Sequence, residues 1–175
     1  MKNKIKSSII ITAENQERFI ERCIKSCLNQ SVKNIEIIII FTKLKNINVL
    51  KKKYLSKNIV FLNITKKINK PTQDQLFKIK QGLLISKGKY IFLLDGDDTY
   101  KKSKVKEAIN SIKDKKVLFL DSHENNKDNI KQINKVHGFK ETNLYKTLIN
   151  TWPKGVCTSC IVLNRDLLNE FFKKI

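Results

Sequence analysis

The sequence predicts an α/β fold, a three-layer α/β/α sandwich around a mostly parallel sheet, and three observations predict it. Short Ile-rich apolar runs alternate with segments of helical periodicity along the whole chain. The run Ile35 to Phe41 is apolar almost throughout, the pattern of a strand covered on both faces. The chain has 175 residues, 41% of them hydrophobic, which suits one well-buried core and is too short for two ordinary domains. A single domain over 1–175 is therefore expected.

The elements follow in order. Ser7 to Ala13 is a β-branched strand, and Glu17 to Gln30 is a helix whose stripe is Phe19, Ile20, Cys23, Ile24, Cys27 and Leu28. Ile35 to Phe41 is the second strand, Ile47 to Leu55 a Lys-rich helix and Asn58 to Ile64 the third strand. Thr72 to Ser86 forms a helix burying Leu76, Ile79, Leu83 and Leu84, which Gly88 is expected to end by adopting a left-handed conformation. Tyr90 to Leu94 is strand, Ser103 to Ile112 helix and Val117 to Leu120 strand. Helices over Glu141 to Ile149 and Arg165 to Phe172 flank a strand near Ile161 to Leu163. No internal repeat is present.

The formal charge is +20, from 36 basic and 16 acidic residues. Arginine occurs only at Arg18, Arg22 and Arg165, so the excess is Lys, amid abundant Asn and Ile, a trio that AT-rich coding produces. The lysines are spread rather than clustered, so nucleic acid is not an expected partner. An apolar run as short as Ile9-Ile10-Ile11 is no signal-peptide core, and Ile37 to Phe41 falls far below the roughly 20 residues that cross a bilayer. The expectation is a soluble cytoplasmic protein, with lysines that would favour the anionic cytoplasmic face of a membrane. Cys23, Cys27, Cys157 and Cys160 invite a zinc reading, but the first pair falls on a core stripe and the CxxC spacing of the second is a weak signal. All four are read as reduced and structural.

In parallel sheets ligands bind beyond the carboxyl ends of the strands. Three segments lie there: Thr12 to Asn15, Phe41-Thr42-Lys43, and the acidic turn Asp95-Gly96-Asp97-Asp98. Three carboxylates directly after a buried strand repel one another unless a cation neutralises them. Hard, oxygen-preferring Mg²⁺ or Mn²⁺ does so and completes its shell with phosphate oxygens, which suits a nucleoside diphosphate. The plainer alternative is a solvated loop in which Asp97 or Asp98 caps the next helix.

Taken together, these segments resemble the family 2 glycosyltransferases of GT-A fold. The family opens S-I-I-I-P-x-Y-N-x-E, and here Ser8 to Glu17 reads S-I-I-I-T-A-E-N-Q-E. Asn29-Gln30-Ser31 and Asn34 to Ile39 are similar to the family's NQ(T/S) and N-x-E-I-I-I stretch, and Gly82 to Asp98 to its G-x-x-x-A-x-G-x-Y-I-x-F-L-D-x-D-D. The resemblance covers roughly residues 7–110, the nucleotide-sugar-binding half. Residues 111–175 would be a partial acceptor-side half, in which Thr151-Trp152-Pro153 and Thr158-Ser159-Cys160 are loosely similar to some members.

The resemblance implies a nucleotide-sugar site at Thr12, Ala13, Glu14, Thr42, Lys78, Asp95 and Gly96, with Asp95 and Asp97 on the divalent metal and Asp98 assisting. It implies transfer of a sugar, with inversion, to a glycan, lipid-linked or protein acceptor of the cell envelope. Two departures stand out. Phe41-Thr42-Lys43-Leu44 replaces the D-D-G-S whose Asp contacts the base, and Lys78-Ile79-Lys80 replaces A-R-N, leaving Lys78 to meet a phosphate as a point charge. No residue is assigned as the acceptor-deprotonating base; Asp121 and His123 follow a strand, and His137 is read as a loop residue. The alternative is a relative that binds nucleotide-sugar or a partner without turnover. A nucleotidyltransferase is disfavoured because no glycine follows the first strand.

Overall fold

A computed structural model of the chain describes residues 6–55, 57–66, 68–112, 117–120, 135–138 and 157–174. Its elements are β1 (Ser7–Ala13), α1 (Ile20–Leu28), β2 (Ile35–Phe41), α2 (Ile47–Lys53), β3 (Ile59–Asn63), α3 (Pro71–Ile85), β4 (Tyr90–Asp95), α4 (Lys104–Ile112), β5 (Val117–Leu120), β6 (Lys135–Gly138), β7 (Ile161–Asn164) and α5 (Arg165–Lys174). A short 3₁₀ turn, Thr158–Cys160, precedes β7. The strands form a seven-stranded sheet in the order β3-β2-β1-β4-β7-β5-β6. The β3, β2, β1 and β4 strands are mutually parallel, and the pairings of β7 with β4, β5 with β7 and β6 with β5 are antiparallel.

Alternation along β1 explains the two cores. Ile9, Ile11 and Ala13 face α1, α2 and α4, in a cluster with Cys23, Ile24, Leu50, Phe92, Val105 and Ala108. Ile10, with Ile38, Ile40, Ile91 and Leu93, faces the other way, against Ile79 and Leu83 of α3 and Leu167, Leu168 and Phe171 of α5. Because β1, β2 and β4 are buried on both faces, they carry Ile, Phe and Leu at every central position, and the expected three-layer sandwich is observed.

Several local expectations are corrected. Leu84 is 70% exposed although Leu83 is buried, because successive residues of a helix point about 100° apart and only one of the two faces the sheet. Phe19 and Leu28 are partly exposed, since they lie before and at the end of α1, where its stripe leaves the sheet. Gly88 does not end a helix in a left-handed conformation: α3 stops at Ile85 with an extended Ser86. What Gly88 supplies is room, because a Cβ there would lie 2.5 Å from the Ser8 nitrogen and 2.6 Å from its Oγ. His137 belongs to β6 rather than to a loop. Asp97 and Asp98 cap nothing, as α4 begins only at Lys104. The expected helix over 141–149, Asp121, His123 and Thr151-Trp152-Pro153 lie outside the described residues. Among the described residues no helix is long and apolar enough to cross a membrane.

Candidate functional site

The parallel register brings the carboxyl ends of β1 and β4 level, with Thr12 opposite Asp95. The Gly96 amide donates to the Thr12 carbonyl at 2.9 Å, closing the acidic turn against β1. A Cβ on Gly96 would meet the Gln16 Oε1 and stand 2.9 Å from the Ala13 Cβ, so the turn needs glycine for close approach. After Ala13 the chain turns through Asn15 at φ 52, a left-handed conformation that Asn tolerates better than most residues, and the Asn15 amide donates to the Lys43 carbonyl at 2.8 Å. The β1 and β2 loops are thereby joined.

Between this edge and α3 opens a cleft of about 430 Å³, lined by Thr12, Ala13, Glu14 and Gln16, by Pro71, Thr72, Asp74, Gln75 and Lys78 of α3, and by Asp95 and Asp97. Its α3 wall holds a buried ion pair. The Lys78 ammonium, its side chain 4% exposed, lies 2.6 Å from Asp74 Oδ2 and 3.7 Å from Glu14 Oε2. It also donates to Thr42 Oγ1 at 3.2 Å. Thr42 thus joins the cleft wall through Lys78. Two carboxylates beside this ammonium already compensate its charge, which makes a further anion a poor neighbour.

The opposite wall is acidic. Asp95 Oδ1 accepts from Thr12 Oγ1 at 3.2 Å and from Gln75 Nε2 at 2.7 Å. Burial, reinforced by the Asp98 and then the Asp97 carboxylate, raises the Asp95 carboxyl from 3.8 to about 6, although the Thr12 and Gln75 hydrogen bonds pull the other way. Asp98 Oδ2 accepts from Ser159 Oγ at 2.5 Å and from the Cys157 thiol at 3.5 Å. Ser159 Oγ in turn accepts from the Asp95 amide at 3.0 Å. Among the described residues no Lys or Arg forms an ion pair with Asp95, Asp97 or Asp98.

Among the described residues these carboxylates therefore have no ion-pair partner, and their hard oxygen donors fit Mg²⁺ or Mn²⁺. Among the described residues, one oxygen each from Asp95 and Asp98 and the Cys157 sulfur lie within 4.8 Å of one another. Asp97 is exposed on the cleft rim, and Arg22 holds its backbone carbonyl at 2.8 Å. All four cysteines are free, and the Cys157 thiol donates to Asp98.

The sequence matches the model of Glycosyl transferase family 2 over residues 8–43 and 50–172. The chain belongs to that family. No curated protein matches the sequence. Among solved structures, residues 1–349 of S. aureus TarS in complex with UDP-GlcNAc superpose with TM-score 0.68 at 18% identity, covering 94% of this chain and 47% of TarS 1–349. The mannosyltransferase PcManGT from Pyrobaculum calidifontis, in complex with GDP-Man and Mn²⁺, gives TM-score 0.66 at 10% identity, covering 97% of this chain and 47% of that one. The fold is GT-A, as the sequence led us to expect, and the chain spans about half the length of these structures.

For this family 2 chain, the cleft gathers Thr12, Ala13, Glu14, Lys78, Asp95 and Asp97, with Gly96 shaping the turn behind it and Thr42 reached through Lys78. Sequence reasoning missed Asp74, Gln75, Cys157 and Ser159. An Asp and a Lys four apart on a helix signal a pair, so Asp74 was there to be found. The contacts of Gln75 and Ser159 with Asp95 bridge separations of 20 and 64 residues and leave no local mark.

Proposed function

We propose that the chain is the donor-binding half of a metal-dependent glycosyltransferase. The observation that carries this reading is an acidic turn whose carboxylates have no ion-pair partner among the described residues, set at the carboxyl edge of parallel strands and opening on a cleft of about 430 Å³. Asp95 and Asp97 would hold Mg²⁺ or Mn²⁺, with Asp98 assisting from behind. The metal, when bound, would neutralise the charge of the departing nucleoside diphosphate.

The chain's own residues supply binding and orientation. Gly96 lets the turn close against Ala13 and Gln16, which sets Asp95 and Asp97 at the cleft. Thr12, Ala13 and Glu14 line the base and ribose end, and Lys78, tied to Asp74 and Thr42, belongs to that end rather than to the phosphates. Support for a nucleotide-sugar donor comes from TarS with UDP-GlcNAc and PcManGT with GDP-Man and Mn²⁺. On this reading residues 7–110 form the donor half and 111–175 part of an acceptor half. The acceptor is a glycan, lipid-linked or protein substrate of the cell envelope, the outcome is inversion, and the reaction takes place at the cytoplasmic face of the membrane.

Binding without turnover is the second reading, and one observation favours it. Of the cleft carboxylates, Asp74 and Glu14 face the Lys78 ammonium, and Asp95 and Asp97 belong to the acidic turn, so no described one is left to deprotonate an acceptor. Calorimetry with UDP, GDP and CMP, in Mn²⁺ and in chelator, tests both readings. Metal-dependent binding that is lost in Asp97→Ala supports a donor site, and release of sugar from the matching nucleotide-sugar then separates turnover from binding. A folded protein that binds none of the three overturns the proposal.

A further inference from the structure

Gln75 makes a connection that no other described side chain makes. Its amide nitrogen donates at once to Asp95 Oδ1 at 2.7 Å and to Thr158 Oγ1 at 3.0 Å, spending both N–H bonds. One amide from α3 therefore joins the acidic turn after β4 to the 3₁₀ turn before β7. Thr12 donates to the same Oδ1, so the carboxylate carries two donors on one oxygen, while Oδ2 accepts nothing among the described residues. Asp98 is treated alike: Ser159 and Cys157 both donate to its Oδ2, and Oδ1 accepts nothing among the described residues. Each carboxylate is held by one oxygen and offers the other. That arrangement fixes orientation without cancelling charge, because every donor to these two oxygens is neutral.

We infer that Gln75 is a positioning residue for the divalent cation, holding Asp95 by Oδ1 so that Oδ2 is presented, with Thr158 fixing the Gln75 amide. The inference rests on the cation reading of the acidic turn proposed above. Hydrogen bonds that orient a metal ligand typically change affinity 10–100-fold when they are removed. A neutral donor suits the task better than a cation, which would compete for the carboxylate. Without Gln75 the Asp95 carboxylate keeps only its Thr12 contact and can turn about it.

The test measures Mn²⁺ affinity, from the loss of the free-ion paramagnetic resonance signal, for wild type, Gln75→Leu, Thr158→Val and the double variant, each with and without UDP or GDP. Gln75→Leu is expected to weaken Mn²⁺ about tenfold or more. Thr158→Val should weaken it by a smaller factor, which disappears in the Gln75→Leu background because Thr158 acts through Gln75. Gln75 is half-buried and Thr158→Val is nearly isosteric, so both variants are expected to fold, and thermal melts report any stability loss separately. If Gln75→Leu binds Mn²⁺ within twofold of wild type, or if the two effects simply add, the inference is overturned. If wild type itself binds no Mn²⁺, the cation reading fails instead, a result that the variants cannot mimic.

Discussion

Lys78→Met tests whether the cleft wall is held by an ion pair. The ammonium and the Asp74 carboxylate are 2.6 Å apart, with 4% and 12% of their side chains exposed. At that distance an effective dielectric of about 20 gives an attraction of about 6 kcal/mol, most of which offsets desolvation of the two ions. Removing the ammonium leaves the desolvation of Asp74 unmatched and deprives Thr42 Oγ1 of its donor. Breaking a buried pair from one side costs about 3–5 kcal/mol, and the residual exposure of Asp74 points to the lower end, about 3 kcal/mol. For a domain of this size that is a Tm lowered by about 6–12 °C. Replacing both ions, as Asp74→Leu with Lys78→Met, removes the orphaned charge and is expected to return stability to within about 1 kcal/mol of wild type. Urea denaturation of wild type, Lys78→Met, Asp74→Leu and the double variant reads the cycle. A Lys78→Met loss below about 1 kcal/mol, or a double variant no more stable than that single one, would refute the argument that Lys78 is committed to Asp74.

Two further predictions concern the acidic turn and the helix-to-strand junction. Asp95 has its folded value raised to about 6, so its contribution to stability falls as pH rises from about 4 to 6 and stays low above. Asp95→Asn should therefore stabilise the protein at pH 7.5 in chelator, by up to about 3 kcal/mol, with the gain vanishing near pH 4 and with metal-linked nucleotide binding lost; equal urea midpoints across that range would contradict this. Gly88→Ala should destabilise by about 1–3 kcal/mol, because the Cβ meets the backbone of Ser8, which cannot yield as a flexible side chain would; a Tm unchanged within 1–2 °C, read by calorimetry, would count against that clash.

The central strands were legible because they are buried on both sides. Ile35–Phe41 begins and ends where its apolar run does, Ser7–Ala13 is centred on the run Ile9 to Ile11, and the turn at Asp95 follows from the end of another such run. β6 was not legible: K-V-H-G carries one large apolar residue and shows no alternation, and only its antiparallel pairing with β5 makes it a strand. Strand order was equally hidden. Local patterning predicts that β7 is a strand but not that it enters between β4 and β5, which depends on pairing across the whole chain. The candidate site divides along the same line. Thr12, Glu14 and Asp95 sit at strand ends and could be found from position alone. Gln75 and Ser159 matter only through partners distant in sequence.

The antiparallel entry of β7 bears directly on the site. Its pairing with β4 runs from Tyr90–Asn164 to Phe92–Val162 and stops there. Beyond that point the 3₁₀ turn Thr158–Cys160 takes the place of a continued strand, so the Asp95 amide finds the Ser159 hydroxyl at 3.0 Å instead of a ladder carbonyl. The same hydroxyl then holds Asp98, and the neighbouring Thr158 holds Gln75. A one-residue slip of β7 would turn Val162 and its neighbours to the opposite face and carry Ser159 away from both carboxylates. The buried Ile161, Val162 and Leu163 oppose such a slip because each belongs to one of the two cores. The hydrophobic pattern of a strand late in the chain therefore sets the geometry of an acidic turn 64 residues before Ser159. Damage to either core at β7 is thus transmitted to the carboxylates without any substitution in the turn itself.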